Sequence, residues 1–72
     1  MHSTSGIDLK VERVREGVTV TALAARMGLS RQSVHGIERA GQVTDDRARE
    51  YRAALAAMVR DGTQASPTES VA

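Results

Sequence analysis

Seventy-two residues, no cysteine and a formal net charge of +1 set the frame. A chain this short is one domain that buries only about 60% of its unfolded surface, and neither disulfides nor thiolate zinc sites can reinforce it. No run approaches the roughly 20 apolar residues of a membrane span, and a single aromatic residue, Tyr51, excludes the stacking platform typical of single-strand nucleic-acid binders.

Met1 to Gly6 is small and polar and lacks the apolar core of a signal peptide, so a cytoplasmic protein is expected. Residues 1–42 carry six Lys/Arg against four acids, and residues 43–72 carry four Arg against five acids. The slight basic excess lies in the first part, but charge alone does not choose a partner. Residues 1–5 are expected to be a flexible N-terminus, 6–61 the folded domain and 62–72 a disordered polar tail.

Ser5-Gly6-Ile7-Asp8 fits a capping box. Ile7, Val11, Val14 and Val18 follow at helical spacing, predicting a first helix from about Ile7 to Glu16, ended by Gly17. Thr19 is a good cap for a second helix, Val20 to Met27, whose apolar face is Leu23, Ala24 and Met27. Gly28-Leu29-Ser30 reads as a tight turn, and Ser30 caps a third helix from Arg31 to Arg39 with Val34 and Ile37 inward. Thr44 caps a fourth helix from about Asp45 to Arg60, with acids in its first turn where the helix dipole favours them. Its apolar face is Ala48, Tyr51, Leu55, Met58 and Val59. No strand pattern or internal repeat is visible.

The informative stretch runs from Val20 to Arg39. Two short helices crossing steeply around a tight turn need a small residue at the crossing, a turn glycine and apolar pins on both sides. Ala24, Gly28, Leu23 and Met27, then Leu29, Val34 and Ile37, supply these at helix-turn-helix spacing.

From Leu23 to Glu38 the sequence L-A-x-x-M-G-L-S-R-x-S-V-x-x-I-E resembles the helix-turn-helix of the phage repressor and Cro superfamily, the Xre-like regulators. The likeness covers about half the chain. It departs at Val20, where the family often has Gln, and at Arg39-Ala40-Gly41, where it often has Asn-Gly. The resemblance implies an all-α, four- to five-helix lambda-repressor-like domain whose third helix enters the major groove. Arg31 and Gln32 are then the main candidate base readers, since Arg matches guanine and Gln matches adenine; Ser33 and His35 are secondary. Gly36 stands where relatives often carry a polar side chain. Thr19, Thr21, Ser30 and Arg39 are the candidate phosphate contacts. Glu38 corresponds to an acid that braces the fold by pairing with an arginine of helix 1. Arg13 is the first candidate for that partner and Arg15 the rival, because helix 1 can be aligned two ways.

The face of helix 4 admits two readings. Tyr51 and Leu55 are expected to close the core, while Met58 and Val59 are candidates for a two-fold dimer contact. His35 and His2 lack neighbouring ligands, so no metal site is expected, and no nucleophile motif or phosphate loop suggests an enzyme or a cofactor. The expected function is a sequence-specific transcription regulator of phage or plasmid type, a homodimer at least on double-stranded DNA, with no small-molecule ligand. The alternative is an antitoxin-like or recombination accessory protein that uses the same fold to bind a protein partner as well.

Overall fold

The computed structural model describes residues 4–62, and the expected disorder of residues 63–72 lies outside them. Four helices follow one another: α1 (Gly6–Arg15), α2 (Val20–Met27), α3 (Arg31–Arg39) and α4 (Asp45–Asp61). Each begins at a hydroxyl side chain that accepts a hydrogen bond from a backbone N–H of the first turn. These caps are Ser5, Thr19, Ser30 and Thr44. At α1 the box is reciprocal: Ser5 Oγ accepts from the Asp8 N–H, and the Asp8 carboxylate accepts from the Ser5 N–H, both at 3.3 Å. α2 ends at Gly28 with φ 71°, a left-handed conformation that glycine adopts without strain.

α3 and α4 each pack against both α1 and α2. The core they enclose is Leu9, Val18, Leu23, Ala24, Val34, Val43, Ala48, Tyr51, Leu55 and Met58. Val20, Ala22, Met27, Leu29, Ile37, Ala40 and Ala54 are half-buried around it. Burying a Leu, Val or Met side chain contributes about 1.5–3 kcal/mol, and all four helices contribute at least one buried residue.

The structure corrects the sequence reading at several places. The aliphatic row of α1 faces outward: Ile7, Val11 and Val14 are 57%, 49% and 58% exposed. α1 is held instead by Gly6, Leu9 and Arg13, a face that combines a glycine, an apolar residue and a charge and so escapes an apolar count. Met58 lies in the core at 4% exposure and is no surface for a partner, while Val59 is half-buried. The segment before α1 is not free along its whole length. Thr4 forms an antiparallel β-bridge with Val43, whose N–H donates to the Thr4 carbonyl at 2.8 Å, and Ser5 caps α1.

Gly6 explains how closely α1 meets α3. A Cβ there would lie 2.3 Å from the Ile37 carbonyl oxygen and 2.5 Å from that of Glu38. The Gly6 N–H donates to the Ala40 carbonyl at 2.8 Å. The start of α1 is thereby tied to the end of α3 by backbone alone.

Candidate nucleic-acid interface

α3 has two faces of opposite character. Inward, Val34 is fully buried and Glu38 is 6% exposed. Outward, Arg31, Gln32, Ser33, His35, Gly36 and Arg39 are all exposed. The four residues singled out as base readers, Arg31, Gln32, Ser33 and His35, are therefore all exposed within the first turn and a half of one helix. By the 100° advance per residue, Gln32, Gly36 and Arg39 point most directly away from the core, with His35 beside them and Arg31 and Ser33 further round.

Two of the candidate polar groups are already engaged at the start of α3. Ser30 Oγ accepts from the Ser33 N–H at 3.1 Å and donates to Ser33 Oγ at 3.0 Å. Arg31 and Gln32, one step further round the helix, are the longer side chains of this turn. The candidate phosphate contacts sit at helix starts and at one end. Thr19 Oγ1 accepts from the Ala22 N–H at 3.1 Å as the cap of α2, Thr21 is exposed in its first turn, and Arg39 is exposed at the end of α3. The starts of α2 and α3 carry no acid in their first turns, whereas α4 has Asp45 and Asp46 there. The positive ends of α2 and α3 are thus open to an anion, and that of α4 is screened by its own carboxylates.

Behind this face lies a buried polar cluster. Arg13 Nε donates to Glu38 Oε2 at 2.7 Å and Arg13 Nη2 to Glu38 Oε1 at 3.1 Å, a two-pronged pair in which Arg13, not Arg15, is the partner. Arg13 Nη1 donates to the Val18 carbonyl at 2.8 Å, and the Tyr51 hydroxyl donates to Glu38 Oε2. The Glu38 carboxylate therefore joins α1, α3 and α4, and Arg13 extends the cluster to the α1–α2 connection. No buried side-chain nitrogen or oxygen among the described residues is left without a partner.

The electrostatics follow from this geometry. Burial pushes the Glu38 carboxyl up, but the hydrogen bonds from Arg13 and Tyr51, with the Arg13 charge, outweigh it and hold the group below its ordinary value. The hydrogen bond to Glu38 raises Arg13 against the opposing effect of burial. Burial first, and then the bond to Glu38, push the Tyr51 hydroxyl well above its ordinary value. The cluster is thus a fixed Arg⁺–Glu⁻ pair with a neutral tyrosine. Sequence reasoning reached Arg13 and Glu38 but missed the Tyr51 bond; the signal available was a lone tyrosine in an otherwise aliphatic helical face, whose hydroxyl needs a partner when buried.

Elsewhere on the surface, Arg52 of α4 holds Glu12 of α1 through Nη2 at 2.7 Å, and Arg26 of α2 holds Asp61 of α4 at 3.3 Å. A shallow groove of about 420 Å³ between α1 and α4 is floored by Leu55, Ala56 and Val59 and rimmed by Arg15, Glu16 and Arg60. Among the described residues no helix is long and apolar enough to cross a membrane. Comparison with protein-family models, curated proteins and solved structures gives no match.

Proposed function

We propose that this chain is a sequence-specific double-stranded DNA-binding regulator of repressor or Cro type. Its α2–turn–α3 unit serves as a helix-turn-helix in a lambda-repressor-like domain, and α3 lies in the major groove. The observation that carries the reading is the division of α3: Val34 and Glu38 are buried in the core, while Arg31, Gln32, Ser33 and His35 are all exposed. Arg31 can donate to O6 and N7 of a guanine, and Gln32 can pair with N6 and N7 of an adenine. The exposed starts of α2 and α3 and the Arg39 side chain supply phosphate contacts that set position without reading sequence. As a cytoplasmic homodimer the protein places two such helices one turn of DNA apart, about 34 Å, and reads a near-palindrome.

Selection of bound sites from random duplex DNA tests this directly. A recovered consensus with two related half-sites about 10 base pairs apart is expected. Recovery of no enriched sequence, with binding no tighter than to arbitrary DNA, rejects the reading. Arg31→Ala is expected to cost about 1–3 kcal/mol on the selected site and to relax preference at one base pair.

A further inference from the structure

The aliphatic row on α1 has no role inside the described fold. Ile7, Val11 and Val14 repeat at intervals of four and three residues, so they form one stripe along the helix. All three are about half exposed or more. They are also β-branched, which lowers helix propensity. Neither core packing nor local structure accounts for three such residues in line.

We propose that this stripe is where two copies of the chain meet, α1 against α1 in antiparallel orientation about a two-fold axis near Val11. The charges flanking the stripe choose both the occupant and the orientation. Asp8 and Arg15 lie on one flank, seven residues apart and on either side of Val11; Lys10 lies on the other flank. Both Asp8 and Arg15 are exposed, and Arg15 makes no ion pair among the described residues. In an antiparallel pair each flank faces its own counterpart, so Asp8 of each copy meets the partner's Arg15, and symmetry makes this contact twice. A parallel pair instead sets Lys10 of each copy beside the partner's Arg15, which repels. The antiparallel arrangement brings the two Lys10 residues toward each other near the axis, where their long stems can carry the charges outward.

The interface is small. A ten-residue helix is about 15 Å long and covers only part of the about 800 Å² per partner that a stable interface buries. Free protein is therefore a monomer at low concentration and pairs toward about millimolar concentration. The inference deepens the proposed function by naming the surface of the expected dimer. It is tested without DNA, so it can fail while sequence-specific binding stands.

Sedimentation equilibrium of the full chain, up to about millimolar concentration, reads the outcome. The wild type is expected to dimerise reversibly. Val11→Asp, at an exposed site that leaves the core intact, is expected to weaken pairing tenfold or more with unchanged helix content. Arg15→Asp sets like charges against Asp8 and is expected to weaken it about fivefold. Adding Asp8→Lys to that variant restores the complementarity at the cost of the Asp8–Ser5 capping bond, and with unchanged helix content it is expected to recover most of the loss; Lys10→Gln alone is expected to tighten pairing. A wild type that stays monomeric throughout overturns the proposal, as does a Val11→Asp variant that pairs as strongly as wild type. A monomer in which Val11 is covered by the chain's own residues 63–72 overturns it too. Failure of the charge swap to restore pairing in a folded double variant overturns the antiparallel register.

Discussion

The Glu38 carboxylate accepts hydrogen bonds from two side chains of different helices, Arg13 of α1 and Tyr51 of α4, while itself sitting on α3. As a pair, Arg13 and Glu38 add little net stability, because desolvating both charges offsets most of their attraction. Removing one partner is another matter, since the other charge is left buried. Glu38→Ala is expected to destabilise the protein by about 3–5 kcal/mol, most of the stability of a domain this size, and thermal unfolding read by circular dichroism checks it. Tyr51→Phe keeps the packing and loses one bond to a charged acceptor, a smaller cost of about 1.5–3 kcal/mol. The same cluster sets the pH limits. A carboxyl held below its unfolded value adds stability above about pH 4.3, and that contribution is lost as pH falls through the lowered folded value. A tyrosine pushed above its unfolded value adds stability below about pH 10, lost on going more alkaline. Stability is therefore expected to be flat with respect to this cluster between those limits, and Glu38→Gln should flatten the acid side of a pH–stability profile relative to wild type. The sequence made the pair of Arg13 and Glu38 legible only as one of two alignments of α1. Gly6 settled the alignment, and its tight approach to the Ile37 and Glu38 carbonyls has no signature in composition or periodicity.

At the scale of single elements the helix limits were legible almost to the residue, because hydroxyl caps and left-handed glycines act locally. Thr19, Ser30 and Thr44 each hold the N–H three positions on, as their place before an apolar pattern implied. Which face of a helix is buried is a tertiary matter: the spacing of Ile7, Val11 and Val14 marks α1 as a helix, but the residues it buries are Gly6, Leu9 and Arg13. α3 shows the converse case, where Glu38 rather than a hydrophobic residue completes the inward side beside Val34. Two glycines on helices make a matched test of these ideas. A Cβ at Gly36 would meet nothing within 4 Å, so Gly36→Ala is expected to stabilise α3 by up to about 1 kcal/mol through helix propensity. Gly6→Ala forces α1 and α3 apart and is expected to destabilise by about 1–3 kcal/mol, as overpacking does. Chemical denaturation of both variants checks the opposite signs. If Gly36→Ala also weakens binding to the selected duplex while raising the melting temperature, the bare backbone at the centre of the outward face is itself part of the DNA contact.

For the molecule as a whole, a net charge of +1 means that affinity for a polyanion cannot come from bulk attraction and has to come from where the few cations stand. Arg31 and Arg39 lie on the exposed side of α3, whereas Arg13, Arg26, Arg47, Arg49 and Arg52 are tied to carboxylates within the fold. Arg39 and two open helix starts amount to a few phosphate contacts per subunit, so the proposed DNA binding should show a shallow salt dependence. The logarithm of the binding constant falls with the logarithm of salt concentration by about 0.9 for each phosphate neutralised. The two arginines should separate by role on this scale. Arg39→Ala, at the end of α3, is expected to lower affinity for all sequences alike and to reduce the slope by about 1. Arg31→Ala, at the start of α3, is expected to relax the base preference at one position of each half-site. Fluorescence anisotropy titrations of both variants on the selected duplex and on single-base variants of it, across a range of salt, distinguish these results. Equal losses in slope and equal loss of base preference in the two variants would mean that α3 does not lie along the groove with its first turn at the bases.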